Sequence, residues 1–158
     1  MFTYEAFPNG SGAMRESSNV STGLSHATLI VRDPTRAAVL FERIMNAERV
    51  HDGGGNGTGR SHEIFLVIGG TWLALVEGTW PECEGYGHLA FRINDFEYDE
   101  RLARVRAMDL KVEPSRPRKP GEGRSIYFRD YDNHLIELHT GTLRARLDAL
   151  RAEKEAHA

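Results

Sequence analysis

The 158-residue chain has one cysteine, Cys83, and no second thiol to pair with it. An internal disulfide scaffold and a thiolate-rich structural zinc site are therefore excluded. Cys83 itself is read as a loop thiol without a role. No apolar run approaches the roughly 20 residues that span a bilayer. There is no excess of positive charge either. Lys and Arg number 20 against 23 Asp and Glu, a formal net charge of −3. A nucleic-acid partner and an anionic membrane surface both lack electrostatic support, so any anion must be held by a local cluster of cations. The N-terminal stretch MFTYEAFPNGSGAMRESSNVSTG lacks a basic leader and an apolar core. It does not read as a secretory signal, and a cytoplasmic location is expected. Residues 1–22 are rich in Gly, Ser and Asn without a period and read as a flexible extension. What remains is an ordinary globular mixture, 40% hydrophobic and 27% charged, long enough for one domain or two small units sharing a core.

One internal repeat stands out. HATLIVRD, from His26 to Asp33, and HLAFRIND, from His88 to Asp95, share a form: His, five mostly apolar residues, one polar residue, Asp. They lie 62 residues apart. The same offset maps Leu75 onto Glu137, Trp72 onto His134 and Glu63 onto Ser125, so no insertion is expected between the halves.

Each half reads as strand, helix, strands. Leu24–Val31 is β-branched and alternating. Asp33 can cap a helix and Pro34 suits its first position. Ala37, Ala38, Phe41, Ile44 and Met45 form the apolar stripe of that helix. His51–Gly59 reads as a polar loop. Ile64–Ile68 and Trp72–Glu77 read as strands joined by a hairpin at Gly69-Gly70-Thr71. In the second half, Gly87–Ile93 is a strand, and Phe96–Met108 is a helix that turns Leu102, Val105 and Met108 inward. Val112 begins an extended segment, and Arg116–Gly123 is a Pro/Gly loop with three cations. Ser125–Arg129 and Leu135–His139 are strands around a turn at Asp130–Asn133. Thr142 caps a C-terminal helix with Leu143, Leu147 and Leu150 on one face. The fold class is α+β, two βαβββ repeats. The organisation is an extension over 1–22, modules over 23–84 and 85–141, and a helix over 142–158. Each module would bury its open sheet face against the other or in a dimer.

Strand alternation puts His26, Thr28 and Ile30 on one face, His88, Ala90 and Arg92 on the matching face of the repeat, and Glu137 with Leu135 and His139. A carboxylate inside LIEL must be exposed on one face or paired. Two histidines and one carboxylate make a three-ligand site with positions left for water or substrate. The donors are N and O only, which suits Mn, Fe(II), Zn or Mg.

With those residues in view, GLSHATLIV, YGHLAFRI, GEGRSIYF and DYDNHLIELHTGTLRARL resemble the fosfomycin-resistance metalloenzymes of the vicinal-oxygen-chelate superfamily. The resemblance runs from about Gly23 to Leu150. It is strongest to the manganese-dependent hydrolases that open the drug's epoxide with water. It implies one divalent cation, most often Mn²⁺, on His26, His88 and Glu137. It implies phosphonate contacts from Thr28, Ser125, Tyr127 and Arg146, and aromatic contacts from Trp72 and Tyr86. It implies a homodimer in which halves of different chains pair, so that both chains build each site. Glu63, in SHEIF, falls where the hydrolases carry a general base toward water. The rival on the same scaffold is a glutathione-type thiol transferase. More distant rivals are glyoxalase chemistry, extradiol ring cleavage and a non-catalytic drug-binding protein. Leu75, standing opposite Glu137 in the repeat, argues against a four-ligand glyoxalase site. Arg116, Arg118 and Lys119 are open to two readings, attraction of a dianionic phosphonate or plain solvated charge.

Overall fold

A computed structural model describes residues 23–54, 61–79, 85–119 and 121–156. The extension over 1–22 and Cys83 lie outside the described residues. The elements run β1 (His26–Val31), α1 (Pro34–Met45), β2 (Glu48–Asp52), β3 (Glu63–Ile68), β4 (Thr71–Glu77), β5 (His88–Arg92), α2 (Tyr98–Ala107), β6 (Val112–Glu113), β7 (Ser125–Arg129), β8 (Leu135–His139) and α3 (Leu143–Ala156), with one 3₁₀ turn at Asp95–Glu97 before α2. The strands form two four-stranded sheets, in the orders β1-β4-β3-β2 and β5-β8-β7-β6. In each, the first strand pairs with the last strand of its half in parallel and the other pairings are antiparallel.

Local chemistry accounts for the boundaries. Asp33 caps α1 by accepting the Arg36 N–H at 2.9 Å, and Pro34 follows at the first helical position. Asn46 ends the helix in the left-handed region, φ 56, where an amide side chain is tolerated. Gly69 and Gly70 have φ of 54 and 83, the double positive φ of a two-residue hairpin turn. Thr142 accepts the Ala145 N–H at 3.2 Å and starts α3.

The expectation of a loop from His51 is corrected. His51 and Asp52 close strand β2, an edge strand with the sequence ERVHD. Its charged, half-solvated character hid it, because an edge strand needs no apolar run. The alternation elsewhere is clean. Ile64, Leu66, Leu73 and Leu75 are fully buried with Leu40, Phe41 and Ile44 of α1, and Ile126, Phe128, Ile136 and Leu138 with Val105 of α2. The halves meet through these helices. Arg101, 7% exposed, donates to the Ile44 carbonyl at 2.7 Å and to Glu97 at 2.5 Å. Arg104 reaches Asn46 at 2.7 Å, and the Phe41 and Phe91 rings stand 6.4 Å apart.

The constant offset is also corrected. His26 is in register with Trp72, and His88 with Leu135. Thr28 faces Ala74, and the equivalent Ala90 faces Glu137. The counterpart of Glu137 is therefore Ala74, 63 residues before it, rather than Leu75. Between the equivalent pairs Val67–Trp72 and Arg129–Leu135 the second half holds five residues against four in the first, and Asp130 organises the longer turn by accepting the N–H groups of Asp132 and His134 at 2.9 and 2.8 Å. A one-residue slip moves a strand's side chains to the opposite face. Leu75, 0% exposed, belongs to the core. The inference drawn from it survives, since Ala74 cannot ligate either.

Candidate functional site

The open face of the second sheet is polar. Glu137, central on β8 between Ala90 and Tyr127, is 6% exposed. A carboxylate so buried needs partners, and it has them. Ser125 donates to Oε1 at 2.5 Å, and Arg118 reaches the same oxygen at 3.5 Å. His88 Nε2 stands 2.9 Å from Oε2. Ser125 gives its one hydrogen to Glu137 and accepts from Arg118 at 2.6 Å and from His139 Nδ1 at 2.8 Å. Burial alone would raise the Glu137 pKa. The hydrogen bonds from Ser125 and Tyr127 and the charges of His139 and His88 outweigh it, so the net shift is downward and the group is an anion at neutral pH. Tyr127 is pushed up to about 12, chiefly by burial and then by its contacts with Tyr86 and Glu137. It stays a neutral hydroxyl.

The His88 ring is held at both of its nitrogens. Its Nδ1 lies 2.8 Å from the Tyr86 carbonyl. Held there, the ring turns Nε2 toward the Glu137 carboxylate, an orientation that a metal-bound imidazole also takes. Two donors about 2.1 Å from one cation at a right angle stand about 3 Å apart. The observed separation of Nε2 and Oε2 fits a shared divalent ion, and the N/O donor set suits Mn²⁺.

His26 lies on the other sheet. Its ring packs on Trp72 at 4.4 Å, and Nδ1 is 3.2 Å from Ser25 Oγ. Among the described residues no three His, Cys, Asp or Glu side chains converge on one point. One chain thus brings His88 and Glu137 together and leaves His26 apart from them. Thr28, Trp72 and Glu63 share the first sheet's open face with His26. Glu63 begins β3, its side chain about half exposed and its carboxylate 3.9 Å from His51 Nε2. The backbone there is anchored by the Gly53 N–H, which donates to the Glu63 carbonyl at 2.8 Å. Thr28 and His88 border one groove of about 380 Å³.

The second-half residues gather around a cleft of about 290 Å³ lined by Tyr86, Arg118, Tyr127, Glu137, His139 and Arg146 among others. The Tyr86 hydroxyl donates to that of Tyr127 at 3.4 Å. Arg146, from the first turn of α3, pairs with Glu122. Sequence reasoning left Arg118 undecided, and the structure places it in the site. It did not single out His139 or Glu122. His139 could have been found two residues beyond Glu137 on the same strand face. Arg118 and Glu122 lie in an aperiodic loop, where spacing carries no information about direction.

Comparison with known proteins agrees with this geometry. A profile of the Glyoxalase/Bleomycin resistance protein/Dioxygenase superfamily matches residues 23–138. The fosfomycin resistance protein FosX of Listeria monocytogenes is 45% identical over 126 residues, covering 80% of this chain and 95% of the relative. The metallothiol transferase FosB of Staphylococcus epidermidis is more distant, 31% identical over 137 residues, covering 84% and 92%. A crystal structure of a FosX variant from L. monocytogenes, complexed with Mn(II) and 1S,2S-dihydroxypropylphosphonic acid, superposes with a TM-score of 0.75 at 43% identity, covering 83% of this chain and 99% of that one.

Proposed function

The chain belongs to the glyoxalase/bleomycin resistance protein/dioxygenase superfamily, and we propose that within it the protein is a manganese-dependent fosfomycin epoxide hydrolase that confers resistance to the drug. One observation carries the reading: the FosX relative holds Mn(II) beside a vicinal-diol phosphonate, which is what fosfomycin becomes when water opens its epoxide. Glu63 supports it from the first sheet, as an acid on a face it shares with His26, Thr28, Phe65, Val67 and Trp72.

A divalent cation bound by His26, His88 and Glu137 supplies Lewis acidity toward the epoxide oxygen. The chain's own residues do the rest. Arg118 and Arg146 offer planar forks of donors to the phosphonate. Ser125, Tyr127 and Thr28 add hydroxyls that fix its pose. Trp72 and Tyr86 wall the methyl end. Glu63 accepts a proton from the water that attacks an epoxide carbon opposite the departing oxygen. The oxygen of water ends on that carbon, the C–O bond to the ring oxygen breaks, and that oxygen takes a proton from solvent to become the second hydroxyl while Glu63 gives its proton back to solvent. His26, Thr28, Trp72 and Glu63 lie on one sheet and His88, Ser125, Tyr127 and Glu137 on the other. The site is therefore assembled in a homodimer, with the 23–84 module of one chain facing the 85–141 module of the next. A cytoplasmic location belongs to the same reading.

Phosphorus NMR of fosfomycin with the purified protein and a panel of divalent metals, with and without glutathione, tests the reaction. Diol without thiol is the expected result. Product formed only with thiol assigns the transferase chemistry instead, and protection without product assigns drug binding.

A further inference from the structure

Glu122 is 4% exposed and has no part in the hydration scheme. Three residues, two from its own loop and one from α3, meet at its carboxylate. Arg116 donates to Oε2 at 2.8 Å and to Oε1 at 3.4 Å. The Lys119 backbone N–H donates to Oε2 at 2.9 Å. The Arg146 guanidinium pairs with Oε1. A buried carboxylate requires compensation, but one cation would suffice, and here two guanidiniums and an amide converge.

The backbone around it is rigidly seated. Gly121 and Gly123 have φ of +83 and +73. A Cβ on Gly123 would stand 2.4 Å from the Gly141 nitrogen, and one on Gly141 would stand 2.7 Å from the Glu122 carbonyl. Only glycine fits either place. Arg124 and Thr140 close the contact with an N–H to the Thr140 hydroxyl at 2.9 Å and an N–H to the Arg124 carbonyl at 3.0 Å. Glu122 is thereby held under the start of α3, where Arg146 emerges.

The arrangement also governs Arg118. Arg116 and Lys119 on either side of it are tied to Glu122, and Arg118 turns away from them to Ser125, Tyr127 and Glu137. Arg146 uses one side of its fork on Glu122. Its side chain is 41% exposed, so donors remain for the cleft.

We propose that Glu122 is the positioning residue of the anion-binding arginines, holding Arg146 directly and Arg118 through Arg116 and the Lys119 amide; the inference rests on the phosphonate site proposed above. Glu122 sets how tightly the phosphonate is held, while bond breaking is left to other residues.

The test uses the full-length, Mn²⁺-loaded protein with inorganic phosphate as the probe, titrated by calorimetry, alongside fosfomycin kinetics. In Glu122→Gln the phosphate Kd and the fosfomycin KM are expected to rise about tenfold, the scale of a lost charge-assisted contact. kcat and Mn²⁺ stoichiometry should hold within about twofold. Glu122→Asp, which keeps the charge on a shorter arm, should fall between. Unchanged or tighter phosphate binding in Glu122→Gln overturns the proposal, because the carboxylate would then be an inert strut or a competitor for Arg146. Should Glu122→Gln fail to fold, Glu122→Asp decides: weaker phosphate binding supports the role and unchanged binding overturns it. A wild-type protein that binds phosphate but makes no diol refutes the reaction and leaves this test standing. A wild-type protein that binds no phosphate refutes the positioning role.

Discussion

The two halves share a core and differ in what they show to the outside. Facing its helix, each sheet presents the same chemistry: Ile64, Leu66, Leu73 and Leu75 in the first, Ile126, Phe128, Ile136 and Leu138 in the second, all 2% exposed or less. Facing outward, the first sheet offers a histidine packed on aromatic rings with one acid at its far end. The second offers a buried carboxylate ringed by donors. Packing constrains one face of a β-sheet far more than the other. A repeated fold can thus keep its core while its two open faces specialise: under the proposed function the second gives the carboxylate, one histidine and the anion-binding donors, and the first gives His26 and the acid toward water.

That division can be broken most severely at Glu137. Glu137→Ala should abolish both Mn²⁺ binding, by more than about 10²-fold since loss of an outer-shell partner alone costs 10–100-fold, and diol formation. Metal content by atomic absorption and product by phosphorus NMR would check this, and a variant that kept stoichiometric Mn²⁺ would remove Glu137 from the ligand set. The first sheet's share is tested by Glu63→Gln. Turnover should fall roughly 10²–10⁴-fold with Mn²⁺ and phosphate binding intact. Hydration at the wild-type rate would show that the two faces do not divide the labour in this way.

The one-residue slip between the halves gives a paired test. Leu75→Glu buries a charge in the core and should cost about 4 kcal/mol or more, enough to prevent folding. Ala74 is 4% exposed but faces the open side of the sheet, so Ala74→Glu, at the true counterpart of Glu137, can carry its carboxylate out toward solvent and should cost less than Leu75→Glu. Thermal denaturation of both variants decides which residue is equivalent, and the reverse order would restore the constant offset.

The smallest effect is expected at the junction of the halves. Glu97 is held below the ordinary carboxylate range, first by the Arg101 guanidinium and then by the backbone and side-chain amides of Asn94. A folded pKa below the unfolded one stabilises the fold above the unfolded value, and the contribution is lost as pH falls through the folded value. Glu97→Gln should therefore lower stability at pH 7 by roughly 1 kcal/mol or less for a partly screened pair, read as a small fall in Tm. The difference from wild type should shrink as the pH falls below the ordinary carboxylate range and Glu97 takes up its proton. A gap that persisted in acid would mean that the junction does not depend on this charge.

Much of this was legible in the sequence. Alternation found the core strands, Asp33-Pro34 and Thr142 marked helix starts, and the spaced histidines with the acid of LIEL picked out the polar face. The signals are local, since each depends on residues within one turn or one strand. The edge strand at Glu48–Asp52 escaped because it is mostly exposed and carries no apolar run. The direction of Arg118 escaped because an aperiodic loop is shaped by what it docks against.

The same holds for the three expected ligands. The sequence by itself determined which residue types could bind a metal and which strand face each occupies, because side-chain direction follows from the two-residue period of a strand. Only the tertiary structure decided that His88 meets Glu137 while His26 stands on the other sheet, that Ala74 and not Leu75 answers Glu137, and that Glu122 gathers the arginines. Those facts depend on turn length and on how separate segments dock, and distances between segments far apart in the chain are set by packing.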